Sequence, residues 1–101
     1  MYQSKFENPM IDDFFEALSY LETREEYYRF FEDVCTISEL QAISQRFAVV
    51  KRLANEETYT SIALETGAST ATISRVKKCL NYGADGYKLV LRKIGLSNKE
   101  S

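Results

Sequence analysis

Residues 58–80 read TYTSIALETGASTATISRVKKCL, and their spacing is typical of a helix-turn-helix. Two short amphipathic segments flank Gly67, which can adopt the left-handed backbone that a tight turn between helices requires. Ala63 is small enough to let the helices cross closely, and the side chains predicted to fill the wedge between them are Ile62, Ile73 and Val76. The rest of the second segment is small, polar or basic, which suits a surface that enters the major groove of DNA. The stretch therefore predicts a DNA-binding element.

The residues expected to meet DNA follow from the positions of the two segments. The second helix of such a motif presents its N-terminal half to base edges, and the first helix crosses the phosphate backbone. Arg75 can pair with a guanine through two hydrogen bonds, and the methyl groups of Ala71 and Thr72 can contact thymine. The predicted DNA-contacting residues are Thr58, Thr60, Ser69, Thr70, Ala71, Thr72, Ser74, Arg75, Lys77 and Lys78. Lys77, Lys78 and Lys88 suit phosphate contacts that do not depend on sequence. At the start of the first helix, Ser61 can donate to phosphates together with Thr58 and Thr60.

The remainder of the chain also predicts helices, six in all, with no strand-like alternation. Residues that cap helix starts mark the expected N-termini: Asn8 before Pro9, Thr23, Thr36, Thr58, and Ser69 or Thr70. The first helix carries the apolar residues Ile11, Phe14, Phe15, Leu18 and Leu21. The long third helix carries a broad apolar stripe of Leu40, Ile43, Phe47, Val49, Val50, Leu53 and Ala54. A last helix is expected over residues 87–94.

Thirteen aromatic side chains, six Phe and seven Tyr, are many for the core of a 101-residue chain. Apolar surface left uncovered in so small a domain favours an oligomer. The net charge of −2 conceals a marked asymmetry. Residues 1–34 hold nine acidic and three basic side chains, whereas residues 69–95 hold six basic and one acidic. A local basic surface on an acidic body can bind phosphate at one place and repel it elsewhere.

Several function classes are disfavoured by composition. The chain has no His, so the usual acid–base catalyst near neutral pH is missing, and an enzyme is not expected. Cys35 and Cys79 are too few for a disulfide scaffold, and without His a zinc site is not expected either. No apolar run approaches the length that spans a membrane, and no signal segment begins the chain. A cytoplasmic protein is therefore expected.

Three motifs together resemble one known family. The run ATISR (residues 71–75) after LETGAS, and the stretch TISELQAISQR (residues 36–46), resemble the Trp repressor superfamily. The downstream CLNYGADGYKLVL (residues 79–91) resembles its small YerC/YecD-type branch, and the likeness extends over nearly the whole chain. It implies an all-α, intertwined homodimer of six-helix chains with two helix-turn-helix heads. Each chain is then one domain, with a dimerisation core at residues 1–57, the helix-turn-helix at 58–80, and a C-terminal helix and tail at 81–101.

The resemblance also bears on ligands. The founding member of the family holds L-tryptophan as corepressor between two arginines, which match Arg46 and Arg75, and Thr36 matches a threonine that helps hold the ligand. Val76 stands where that repressor has glycine, and Cys79 where it has serine. A β-branched side chain would occupy space that an indole ring needs, so the comparison argues against tryptophan and leaves another small molecule open. No other cofactor is expected.

These observations predict a homodimeric transcriptional regulator, most simply a repressor, that recognises double-stranded DNA. Two alternatives remain open from the sequence. The first is a protein-interaction module that uses the acidic N-terminal helices and lacks specific DNA binding. The second is a DNA-targeting domain detached from a larger recombinase or sigma-like protein, which the many aromatic residues of the N-terminal half disfavour.

Overall fold

The computed structural model describes residues 2–96, and within them the chain forms six α-helices and no strand. The helices are α1 (Pro9–Leu18), α2 (Arg24–Val34), α3 (Ile37–Ala54), α4 (Tyr59–Thr66), α5 (Thr70–Tyr82) and α6 (Gly86–Lys93). The all-α class and the number of helices predicted from the sequence are confirmed. The expected C-terminal tail lies, from residue 97 onward, outside the described residues. No helix within residues 2–96 is long and apolar enough to cross a membrane.

Side-chain caps start most of the helices where the sequence predicted them. Asn8, Thr23, Thr58 and Ser69 each accept a hydrogen bond from the backbone N–H three residues later. In α2 the carboxylate of Glu26 accepts from the N–H of Glu22 at 2.7 Å, one residue earlier than in a standard capping box. Ser69, and not Thr70, is the cap of α5. Local hydrogen bonding therefore determines most of the helix starts.

The chain forms two compact units, one ending at Ile37 and the other beginning at Ser38. The first contains α1 and α2, which meet through aromatic rings. Phe14 stacks on Phe30 with 5.9 Å between ring centroids and contacts the edge of Phe31 at 6.2 Å. Neither helix has a fully buried residue, and Phe15 is 59% exposed. The surplus of aromatic surface expected from composition is therefore present in this unit.

Helix α1 is shorter than its apolar pattern suggests. Leu21 continues the spacing of Leu18, but α1 ends at Leu18. The N–H of Ser19 bonds to the carbonyl oxygens of both Phe15 and Glu16, and its hydroxyl donates to Glu16 at 2.6 Å. These bonds tighten the last turn, so Leu21 lies in the turn that precedes α2.

The second unit has a small apolar core to which α3, α4, α5 and α6 all contribute. Its buried members are Val49, Val50, Ile62, Ala68, Ile73, Val76 and Leu91. The wedge residues predicted from the sequence are confirmed, because Ile62, Ile73 and Val76 are each at most 3% exposed. The stripe on α3 is buried only in part, since Val49 and Val50 are covered while Ile43 remains 48% exposed.

A polar cluster joins the end of α3 to the start of α4. The Glu57 carboxylate accepts hydrogen bonds from the Arg52 guanidinium at 3.1 Å, the Ser61 hydroxyl at 3.3 Å and the Asn55 amide at 3.5 Å. Desolvation raises the pKa of Glu57, but these hydrogen bonds and the charge of Arg52 outweigh it, so the pKa lies below its ordinary value of 4.5. Arg52 also approaches Glu65 of α4 at 3.9 Å. Hydrogen bonds and ion pairs of Arg52 and Glu57 therefore stabilise the connection between α3 and α4.

We predict that this cluster makes stability depend on pH. A carboxyl whose pKa is lower in the folded state adds stability that is complete above its unfolded pKa of 4.5. That stability is lost as the pH falls through the folded pKa. Glu57→Gln should therefore reduce the loss of stability on acidification, measured by urea unfolding at a series of pH values.

The matched control is Glu25→Gln, which removes one half of an exposed ion pair with Arg29 on α2. Exposed pairs of this kind contribute little, so the control should keep the acid dependence of the unmodified chain. Identical acid dependence in Glu57→Gln and the unmodified protein would show that the cluster has no such role.

Candidate nucleic-acid interface

Helices α4 and α5 are joined by a three-residue turn that begins at Gly67. Gly67 has φ 75° and ψ 3°, the left-handed conformation predicted for it, and its N–H bonds to the carbonyl oxygen of Ala63 at 2.9 Å. The Thr66 hydroxyl donates to the carbonyl oxygen of Ile62 at 2.7 Å and accepts from the N–H of Ala68 at 3.1 Å. Ala68 is buried directly after the glycine. The turn is therefore closed by backbone, hydroxyl and apolar contacts together.

The α4–α5 pair is tied to α3 by one long-range hydrogen bond. The side-chain amide of Gln45 donates to the carbonyl oxygen of Thr66 at 3.1 Å. This bond satisfies a carbonyl at the C-terminal end of α4, where no intrahelical partner exists. This hydrogen bond and the core contacts of Val49 and Val50 together hold α4 and α5 against α3.

Helix α5 turns one face to the core and the other to solvent. Ile73 and Val76 are buried, and Leu80 packs against the same core. Of the residues predicted to contact bases or phosphates on this helix, Thr72 is half-buried, and its hydroxyl accepts from that of Ser69 at 3.1 Å. The others are exposed: Ser69, Thr70, Ala71, Ser74, Arg75, Lys77 and Lys78. All but one of the predicted contact residues at the start of α5 and along it are therefore accessible to a partner.

The start of α4 holds the other predicted contacts. Thr58 and Thr60 are exposed, and Thr58 accepts from the N–H of Ser61 at 3.1 Å. Ser61 is half-buried, and its hydroxyl donates to Glu57, so it is committed to the cluster at the end of α3. Of the hydroxyl groups of Thr58, Thr60 and Ser61, only that of Thr60 takes part in no hydrogen bond among the described residues.

The cations of α5 differ in their surroundings. Arg75 and Lys78 form no ion pair or cation–π contact with any residue in the range 2–96. The ammonium of Lys77 lies 5.7 Å from the centre of the Tyr59 ring. Lys88 of α6 approaches Asp85 at 3.9 Å, so part of its charge is compensated. Arg75 and Lys78 therefore give α5 two positive charges that no carboxylate within residues 2–96 compensates.

The residues that the resemblance assigned to a ligand are distributed over both units. Arg46 on α3 and Arg75 on α5 are exposed and belong to the second unit, whereas Thr36 belongs to the first. Val76 is only 3% exposed and is part of the apolar core. Small-molecule binding at Thr36, Arg46 and Arg75 stays a prediction. Among the described residues, no group of His, Cys, Asp and Glu side chains has the arrangement of a metal site.

Sequence reasoning missed three residues that shape this interface: Gln45, Thr66 and Tyr59. Gln45 and Tyr59 act on partners 21 and 18 positions away, so no local spacing indicates their contacts. Thr66 uses a hydroxyl bond to the residue four positions earlier, which is common in helices and therefore carries no distinguishing signal.

Comparison with known proteins gives consistent matches. A family model described as Trp repressor protein matches residues 10–95. The uncharacterized protein YerC of Bacillus subtilis (strain 168) is 46% identical over 101 residues, covering all of this chain and 97% of its own.

Two crystal structures are similar over most of the chain. One is of a protein from Staphylococcus aureus provisionally described as a Trp repressor, with 44% identity and a TM-score of 0.88 over 94% of this chain and 95% of its own. The other is of a TrpR-like protein from Eubacterium eligens ATCC 27750, with 49% identity and a TM-score of 0.88 over 94% and 98% of the two chains.

We predict that Gly67→Ala destabilises the second unit by about 1 kcal/mol, because a side chain makes the left-handed backbone costly. A methyl group there would lie 3.8 Å from the Gln45 amide, so the loss should come from the backbone and not from a clash. Thermal unfolding at fixed protein concentration measures the effect. Gly86→Ala is the matched control, since its methyl would meet nothing within 4 Å and should leave stability unchanged or higher. Equal stability of Gly67→Ala and the unmodified chain would contradict the role given to this turn.

Proposed function

Because the chain belongs to the Trp repressor family, we propose that it regulates transcription by binding double-stranded DNA as a homodimer. The family consists of regulatory DNA-binding proteins, not enzymes. One observation supports the proposal above all others. Helix α5 buries Ile73 and Val76, while Arg75 and Lys78 stand exposed and without an anionic partner among residues 2–96.

In this proposal α5 lies in the major groove and α4 crosses the phosphate backbone. Arg75 donates two hydrogen bonds to a guanine, and hydroxyl and methyl groups near the start of α5 contact neighbouring bases. Thr58, Thr60, Lys77 and Lys78 contact phosphates and add affinity that falls as salt rises. The base-reading surface is formed by Ser69, Thr70, Ala71, Thr72, Ser74 and Arg75.

The proposed dimer accounts for the apolar surface that a single chain leaves uncovered. Phe15, Ile37 and Ile43 are 59%, 69% and 48% exposed in the single chain, so each leaves apolar surface in contact with water. A two-fold dimer would cover such residues and place two copies of α5 about one helical turn of DNA apart. Binding across a promoter in the cytoplasm would then block transcription, which makes repression the simplest mode of action.

A corepressor, where one acts, would be held by Thr36, Arg46 and Arg75. The buried Val76 argues against L-tryptophan, because it stands where the founding member has glycine and its side chain is packed in the apolar core. Such a ligand would work by favouring one spacing of the two DNA-binding heads over another, which requires different affinities for the two arrangements.

The alternative, a protein-interaction module, rests on the acidic α1 and α2. It predicts that substitutions on α5 have no effect on function. Substitutions on the acidic helices α1 and α2 should instead abolish binding to the partner protein. The two functions are therefore separated by substitutions on α5 alone.

We predict that Arg75→Ala weakens binding to specific sites about tenfold to a hundredfold, because a bidentate contact to guanine is lost. Lys78→Ala should weaken binding to all sequences alike and reduce the salt dependence by about one phosphate contact. The measurement is selection of genomic fragments by the purified protein near physiological salt, followed by salt titration on the enriched sites.

The control is Arg29→Ala, which removes an exposed arginine from α2. It should enrich the same fragments as the unmodified protein. Fragment enrichment that survives Arg75→Ala, or no enrichment by any variant, would contradict the proposed function.

We predict that Phe30→Asp prevents folding, because it places an unpaired charge between the rings of Phe14 and Phe31 in the proposed shared core of the dimer. Phe47→Asp on α3 should act in the same way. Circular dichroism and sedimentation measure helix content and mass together. Phe30→Leu, which keeps an apolar side chain, should remain a folded dimer. A folded, monomeric Phe30→Asp protein would contradict the intertwined dimer.

A further inference from the structure

Lys77 has an aromatic neighbour that carries no opposing charge. Its ammonium lies 5.7 Å from the centre of the Tyr59 ring, within the range in which the negative face of an aromatic ring attracts a cation. Tyr59 is the first residue of α4, whereas Lys77 is in the middle of α5. The contact therefore spans the two helices of the proposed DNA-binding pair.

An aromatic ring and a carboxylate have different consequences for a lysine. Lys88 approaches Asp85, and an anion binding there would have to compete with a carboxylate. The Tyr59 ring carries no net charge, so it attracts the Lys77 ammonium without offsetting its positive charge as a carboxylate would. A lysine held in this way has lost part of its rotamer freedom before it meets a ligand.

Tyr59 is itself well anchored. Its side chain is half-buried and packs against the core that includes Ile62 and Val76. In sequence it stands between Thr58 and Thr60, the two hydroxyl-bearing residues that the proposed function assigns to phosphates. The ring contact therefore places Lys77 near the first turn of α4, which contains Thr60 and follows the cap residue Thr58.

We infer that Tyr59 is a positioning residue that preorders Lys77 of α5 for a contact with the DNA phosphate backbone beside the start of α4. The inference rests on the proposed function and adds to it a residue that does not read bases. Lys78, the neighbouring lysine, has no aromatic contact among the described residues and serves as the internal reference.

The test is a double-mutant cycle on a duplex of random sequence, since a phosphate contact does not require a specific site. Tyr59→Leu keeps apolar bulk but lacks the ring, and should weaken binding about two- to fivefold at fixed salt. Tyr59→Phe keeps the ring and should bind like the unmodified protein. The effect of Tyr59→Leu should vanish when Lys77 is already alanine and persist when Lys78 is alanine.

Folding of the variants is checked by circular dichroism. A second measurement needs no variant that might unfold: the ε-methylene protons of Lys77 in the unmodified protein should show an upfield ring-current shift in NMR spectra. Without that shift, the inference is overturned whatever the binding data show.

The outcomes also distinguish this inference from the proposed function. If the unmodified protein binds the duplex but Tyr59→Leu is neutral, binds more tightly, or is equally harmful in both lysine backgrounds, only the role of Tyr59 is overturned. If the unmodified protein binds neither random nor selected duplexes, the proposed function fails and the role of Tyr59 fails with it.

Discussion

The apolar wedge between α4 and α5 is the constraint on which the rest of the candidate interface depends. Ile62, Ile73 and Val76 can be buried together only if the chain reverses within three residues, and the left-handed conformation of Gly67 makes that reversal possible. Once Ile73 and Val76 face inward, the helical period places Ser74, Arg75 and Lys78 at exposed positions. The polar and basic side chains of α5 are thus exposed because its opposite face is buried in the core.

Local patterns were sufficient to predict much of the fold. The six helices, the caps at Asn8, Thr23 and Ser69, and the turn at Gly67 all arise from interactions between residues a few positions apart. Burial along α3 was not predictable in the same way. Its apolar stripe is continuous in sequence, yet Ile43 is exposed in the single chain, because burial depends on which distant residues, of the same chain or of a partner, cover each turn. The end of α1 was missed because Ser19 satisfies two carbonyl oxygens that the apolar spacing does not reveal.

In the candidate site, too, local features could be predicted from the sequence, whereas contacts between distant residues could not. The exposed face of α5 follows from its period, so most of its predicted DNA-contacting residues are found at accessible positions. What the sequence did not indicate are the contacts that hold this face in place. The bond from Gln45 to Thr66 and the approach of Lys77 to Tyr59 join different helices, and both depend on the packing of the second unit.

Base reading by α5 in the major groove is tested by protection of guanine N7 from methylation by dimethyl sulfate on a selected fragment, because this atom lies in the major groove. We expect protected guanines in two symmetric half-sites about one helical turn apart. Guanines that remain fully reactive in the presence of saturating protein would contradict it.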